Sequence, residues 1–212
     1  MPSFFTDIFT IETWEQARAR DWTVSGFPAP TKTRGGYFQS TFDKVKPSDV
    51  LLCYVKAPAK RWVGALRVEE RMHLDFEDDV WGKDEDGRAR FPARFRTTPL
   101  TTLDVDVGVP VEETIGALTC LEADAWSGMF RRSLNAVPQE DGERLLEMLH
   151  EPRRAVPVRV PRKRVRPKPR STVSLTRARN LALSDSEVVR GVGSGGLLFG
   201  AVWECVRRGG GG

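Results

Sequence analysis

The run Lys46–Val68, KPSDVLLCYVKAPAKRWVGALRV, most constrains what this chain can become. It reads as a turn, a buried strand, a short hairpin loop and a second, longer strand. Pro47 and Asp49 supply the turn chemistry, and β-branched and aromatic residues fill the strands. A chain with this hairpin at its centre builds around a sheet. Tyr54 and Trp62 flank the basic loop residues Lys56, Lys60 and Arg61. Aromatic surface beside cationic side chains is what stacking on a nucleobase requires.

Charge divides the chain in two. Residues 1–150 carry 19 Lys and Arg against 25 Asp and Glu, whereas residues 151–212 carry 14 against 4. The overall +4 therefore belongs to the tail. A globally basic body, the footprint of a strong phosphate binder, is absent, so contact with nucleic acid by the body must rest on a local patch. The three cysteines are far apart with no CxxC spacing, and only His73 and His150 could complete a metal set. No zinc site, disulfide framework or cofactor is expected. No apolar run reaches a membrane span, and no secretory signal is recognisable at the start. A soluble cytoplasmic protein with no membrane partner is the expectation.

Along the chain, Ser3–Phe9 reads as a strand. Thr10 caps a helix with apolar Ile11, Trp14 and Ala17 at helical spacing, ending near Arg20. Trp22–Phe27 is extended, residues 29–36 form a basic loop, and a brief helix covers Ser40–Val45. The strand ending at Val68 is expected to run on to Asp75. A charged surface excursion, Glu77–Arg90, contains the isolated Trp81. Phe91–Thr97 alternates as a strand, with Phe91, Ala93 and Phe95 on one face and Arg94 and Arg96 on the other. Pro110–Leu121 and Pro138–His150 read as helices, the second with an apolar stripe of Leu145, Leu146, Met148 and Leu149. Several strands with peripheral helices predict an α+β domain over residues 1–150, its sheet curled into a small β-barrel. Residues 151–212 follow as a basic, Pro-rich linker and a poorly ordered tail. Nine Lys and Arg and five Pro between Pro152 and Arg170 cannot bury a core.

These segments carry a resemblance. FTIETWEQA (Phe9–Ala17), SGF (Ser25–Phe27), KPSDVLLCYV (Lys46–Val55), RWVGALRV (Arg61–Val68), Trp81, FPARF (Phe91–Phe95), AWSGMFR (Ala125–Arg131) and DGERLLEML resemble, in order and spacing, the EVE domains of the PUA-like superfamily. That superfamily also holds PUA, ASCH, YTH and SRA-type modules. The resemblance covers roughly residues 3–150 and implies a PUA-like small barrel ringed by helices. It also implies a pocket that accepts one modified base, such as 5-methylcytosine in DNA. The implied partners are modified DNA or RNA, with a separate nuclease or translocase module in a restriction or defence system. Residues 151–212 have no counterpart in it.

Enclosing a base first requires taking it out of the duplex, at a cost of a few kcal/mol. One aromatic stack returns about 1–3 kcal/mol, so two faces and a polar edge are needed. The expected base-binding residues are Trp22, Ser25, Gly26, Phe27, Tyr54, Trp62 and Trp81. The resemblance, by where related folds build their cage, places Trp22 through Phe27 first and Trp81 as the second wall. Gly26 allows close backbone approach, and Ser25 offers a hydrogen-bonding hydroxyl. Trp62, at the start of a strand, serves a core equally well. Lys32, Arg34, Lys56, Lys60 and Arg61 are the expected phosphate contacts. Catalysis is not expected. Two histidines without neighbouring ligands make no metal or nucleophile site. The acidic cluster Asp78, Asp79, Asp84, Glu85 and Asp86 reads as loop solubility. The GxGxxG match at Gly191–Gly196 has too little chain after it for a βαβ unit. The leading reading is a non-enzymatic modified-base reader; an RNA-binding PUA- or YTH-like module and a protein-interaction domain stay open beside it.

Overall fold

Phe4–Phe9 form β1, and Thr10 then turns the chain into α1 (Ile11–Arg18) through a reciprocal cap. The Thr10 hydroxyl accepts from the Thr13 amide at 3.0 Å, while the Thr10 amide donates to the Thr13 hydroxyl at 2.8 Å. The computed structural model describes residues 1–32, 36–78, 80–121 and 126–158. All lie within Met1–Arg162, the first of two units into which the chain divides. After α1 come β2 (Val24–Phe27), α2 (Gln39–Phe42), β3 (Val50–Val55), β4 (Arg61–Val68) and β5 (His73–Leu74). They are followed by β6 (Ala93–Thr102), β7 (Val109–Pro110), α3 (Val111–Thr114), α4 (Trp126–Met129), β8 (Ala136–Val137) and α5 (Gln139–His150).

The strands form one mixed sheet in the order β2-β6-β4-β3-β1-β8, with β5 on β6 and β7 on β4. Among the described strands, only β1 and β3 pair in parallel. All six residues of β3 are buried because both faces of the sheet are covered. Leu51, Cys53 and Val55 point into one core with Phe9, Trp14, Phe27 and Phe95. Val50, Leu52 and Tyr54 point into a second, with Trp62, Val111 and the Leu145–Leu149 stripe of α5. An extra residue in β4 at Val63, opposite Cys53 and Tyr54, bends that strand, and one in β6 at Leu100, opposite Ala65 and Leu66, bends its neighbour. The ten-residue β6 adds to the bend by pairing with β2 through its first half and with β4 through its second. The result is a curled half-barrel with peripheral helices, an α+β fold as expected.

Curling brings the ends of the sheet together without closing it. The Ser25 hydroxyl of β2 donates to Asp7 Oδ2 of β1 at 2.5 Å. β8 pairs with β1 only at Phe4 and Phe5. Beside Ile8 and Phe9, therefore, a seam separates β1 from the edge of β2.

Four expectations need correction. The strand ending at Val68 does not run unbroken to Asp75; after the Glu69 amide bonds the Arg96 carbonyl, pairing lapses over residues 70–72 and resumes as β5 on the same edge of β6. Pro110–Leu121 is not one helix. α3 makes a single turn, then Ile115 is extended and Gly116 takes φ +81°, a left-handed value that ends it. The brief helix expected over Ser40–Val45 is a single turn, Gln39–Phe42. Arg94 does not face solvent beside Arg96; it is 2% exposed. After α5, residues 151–158 lie against the barrel. Val156 donates to the Asp106 carbonyl at 2.8 Å, and Val158 to the Asp106 carboxylate at 2.9 Å. The rest of the basic arm and the GxGxxG match lie outside the described residues. No helix of the described residues is long and apolar enough to cross a membrane.

Candidate functional site

The seam opens into a cavity of about 300 Å³ between the end of β1, the start of α1, the edge of β2 and the loops around Trp81 and Phe130. Strand pairing explains why backbone polar groups face it. Thr97 donates to the Thr23 carbonyl at 3.0 Å. By antiparallel alternation the 25/95 and 27/93 pairs then exchange bonds, and the amide and carbonyl of Gly26 turn away from β6 towards the seam. A heterocycle placed there meets a donor and an acceptor that no strand has claimed.

Trp81 forms one wall. Its indole N–H donates to the Thr13 carbonyl at 3.2 Å, and its ring lies over Gly26 so closely that a Cβ there would overlap it. Phe91 meets it edge-on at 6.0 Å, and the Arg94 guanidinium sits 5.8 Å from the ring centre. Arg94 in turn holds the excursion that carries Trp81. It donates to Asp78 Oδ2 at 2.6 Å, to Asp75 Oδ2 at 3.4 Å, to the Phe91 carbonyl at 3.3 Å and to the Asp78 carbonyl. Asp75 is held below the usual carboxylate range, first by the Asp78 amide and also by the Glu77 amide and Arg94.

Phe27, Tyr37 and Phe130 complete the aromatic lining. Phe27 is anchored edge-on by Phe42 and Phe95 at 6.1 and 5.8 Å. Tyr54 and Trp62 stand one layer behind. Tyr54 stacks on Phe130 at 3.9 Å, and Trp62 meets the same ring edge-on at 5.3 Å. Both are buried in the second core, where the Trp62 indole donates to the Thr114 hydroxyl at 3.3 Å. Neither lines the cavity, because alternation along β3 and β4 sends them to the opposite face of the sheet.

Trp22 also falls outside the cavity. At φ 51° its amide turns back to the Ala17 carbonyl and closes the end of α1. Its ring packs on Trp14 at 5.4 Å beneath the Arg18 guanidinium. Ser25 is fully buried below the cavity, bonded to Asp7.

The rim is cationic. Lys56, Arg90, Arg131 and Arg132 line the cavity against one carboxylate, Glu12. Of the expected phosphate residues that are described, only Lys56 is among them. Arg61 is buried and spent on carbonyls, donating to Asp106 at 3.0 Å, Gly108 at 3.1 Å and Val156 at 3.2 Å. Lys60, at φ 52°, accepts the Val111 amide at its carbonyl, at the foot of α3. Lys32 is exposed and does not line the cavity. Arg34 lies outside the described residues.

Sequence reasoning did not single out Asp7, Tyr37, Phe130, Arg131, Arg132 or Ser133 as site residues. The aromatic-then-basic run Phe130-Arg131-Arg132-Ser133 was a visible signal. Asp7 was not. Its burial pushes the carboxyl up to about 7, against the opposing pull of bonds from Ser25, Ile8 and Ser133. Among the described residues, no group of three or more His, Cys, Asp or Glu could hold a metal ion. Asp78 and Asp84, from the acidic cluster, serve loop structure: Asp78 binds Arg94, and Asp84 accepts from the Asp86 and Arg88 amides at 3.0 and 2.9 Å.

No family model and no curated protein matches the sequence. Solved structures do. Rpa0253 from Rhodopseudomonas palustris aligns over 69% of this chain and 92% of its own, with 16% identity and a TM-score of 0.45. The YTH domain of the Zygosaccharomyces rouxii MRB1 protein, solved with N6-methyladenosine RNA, aligns over 74% and 89%, with 13% identity and a TM-score of 0.47. Atu2648 from Agrobacterium tumefaciens aligns over 73% and 99%, with 18% identity and a TM-score of 0.44.

Proposed function

We propose that this chain is a non-enzymatic reader that takes a single unstacked base of a nucleic acid into the seam cavity. The ligand we favour is 5-methylcytosine in DNA, with the protein sensing modified DNA for a separate nuclease or translocase. One observation carries the reading: a cavity walled by Trp81, Phe27, Phe91 and Phe130 and rimmed by Lys56, Arg90, Arg131 and Arg132. The first 150 residues hold six more acids than bases, so this rim is a local concentration of positive charge on an acidic body. Aromatic faces stack a base, the seam backbone reads its edge, and the rim meets the flanking phosphates.

Methyl selectivity has a physical ceiling. Burying one methyl group is worth about 0.8 kcal/mol, roughly fourfold in affinity, so stronger preference requires a cavity that fits poorly without it. The test compares fluorescently labelled oligonucleotides of one sequence as 5-methylcytosine DNA, unmodified DNA and RNA, by anisotropy at fixed salt. Tightest binding to the methylated DNA, lost in Trp81→Ala, supports the reading. Tightest binding to RNA reassigns the ligand. Binding of none of the three at low salt removes the reader function.

A further inference from the structure

Tyr37 and Phe38 are neighbours in the chain and face opposite ways. Tyr37 lines the cavity; its ring packs on Phe27 and Phe42 at 6.2 and 5.6 Å, and its hydroxyl accepts the Ser133 amide at 3.0 Å. The backbone of Phe38 is extended, with φ −86° and ψ 152°, so the next side chain leaves in the other direction and stays 45% exposed. Among the described residues, Phe38 is the one exposed large apolar side chain adjoining a cavity residue in the chain. Its main chain is pinned on both sides. The Tyr37 carbonyl accepts the Thr31 amide at 2.7 Å, and the Phe38 carbonyl accepts the Thr41 amide at 2.9 Å. Gly36 lies so close to Thr31 that a Cβ there would overlap its side chain. We propose that Phe38 is a wedge that enters the base stack beside the nucleotide held in the cavity, and so admits double-stranded DNA as a ligand.

A base that leaves a duplex gives up its pairing and its stacking on both neighbours. The cavity returns a stack to the base itself, through Trp81, Phe27 and Phe91. It returns nothing to the bases left behind, which face a gap. An apolar side chain inserted between base steps fills such a gap and holds the duplex open. The side chain that does so must stand beside the cavity, project into solvent in the free protein and rest on fixed main chain. Phe38 meets all three conditions. A single strand leaves no paired gap to fill, so the wedge adds to duplex binding alone.

Charge around the ring points to the same partner. Arg132 donates to the Gly36 carbonyl at 3.4 Å, which ties the loop that carries Phe38 to the cationic rim. Lys56 and Arg131 line the same cavity, and all three are exposed. Phosphates flanking a nucleotide in the cavity are drawn to these cations, and the stack that those phosphates border is thereby brought to Phe38. An apolar protein surface laid on the ring would instead have to take the neighbouring cations out of water.

This inference rests on the cavity being a base site, and the experiment separates the two. Anisotropy is measured at fixed salt with one labelled 5-methylcytosine sequence, as a single strand and as a duplex. The proteins are the unmodified chain, Phe38→Ala and Phe38→Tyr, with folding checked by circular dichroism. Phe38→Ala should bind the duplex about tenfold more weakly, the worth of one aromatic stack, and the single strand within about twofold of the unmodified chain. Phe38→Tyr keeps the ring and should match the unmodified chain on both. Equal losses on the two forms, no loss on either, or a loss in Phe38→Tyr as large as in Phe38→Ala overturns the wedge and leaves the base site standing. So does an unmodified chain that binds the single strand and not the duplex. Binding of neither form by the unmodified chain overturns the base site and the wedge together.

Discussion

Trp81 is seated on the backbone of Gly26: a methyl group added there would overlap ring atom Cζ3 and come within 2.8 Å of Cε3 and Cη2. The ring has little freedom to retreat, since its N–H is bonded to the Thr13 carbonyl and Arg94 sits over its face. Gly26→Ala should therefore push the Trp81 wall out of place. Overpacking of this kind costs about 1–3 kcal/mol. Urea unfolding should show that loss, and oligonucleotide binding should fall with it. Unchanged stability and binding would mean the ring moves freely and is no fixed wall.

The tryptophans separate ligand contact from support. Trp81→Ala should weaken base binding by about 1–3 kcal/mol, the value of one stack. Trp62→Phe should leave binding near the original level, because Trp62 does not line the cavity and packs on Phe130 and Tyr54 behind its wall. Its cost should appear in stability instead, as the loss of packing and of the bond to Thr114. Titration of both variants with the same oligonucleotide decides the assignment. Equal loss of affinity in the two would mean the cavity is not where the base goes.

Pattern along the chain was enough to give the central strands and the helices α1 and α5. It missed what depends on how the sheet curls. Tyr54 and Trp62 look like a paired aromatic surface in sequence, and they do pair, at 5.4 Å. Helical cover on that face, however, encloses them. Arg94 alternates with Ala93 and Phe95 and should meet water, yet the Asp75–Phe91 excursion folds back over it and supplies its carboxylates. Asp7 sits mid-strand in an apolar run, where no local signal marks a residue at the seam. Tyr37, Phe91 and Ser133 reach the cavity from separate loops, and such convergence exists only in three dimensions. Gly26 and Trp81 were legible because a glycine in a strand and a tryptophan in a charged loop each demand a reason.

Asp7 makes stability depend on pH in a direction opposite to most carboxylates. Its folded value lies near 7, above the ordinary 3.8. Between those values the unfolded chain releases a proton that the folded chain keeps. Its contribution is complete below about pH 4 and is lost as pH rises through 7, amounting to about 4 kcal/mol. Asp7→Asn cannot ionise and can retain the bond to Ser25. The stability difference between the unmodified chain and Asp7→Asn, measured by urea unfolding from pH 4 to 8, should shift steadily in favour of the variant and level off above 7.5. A difference that stays constant across this range would show that Asp7 ionises normally inside the fold.

The arginines around the barrel should fall into two kinds under salt. Arg131 and Arg132 stand exposed on the cavity rim, where a phosphate contact releases counterions. Replacing either with Gln should weaken binding to every oligonucleotide alike and lower the slope of log K against log salt by roughly 1. Arg61 is different. Its guanidinium joins the 106–108 loop to residues 151–158 through three carbonyls, so Arg61→Gln should destabilise the fold and free that segment to proteolysis. The salt slope should stay as it was. A lowered slope in Arg61→Gln, with the rim variants unchanged, would move the phosphate path to the far end of β4 and away from the cavity.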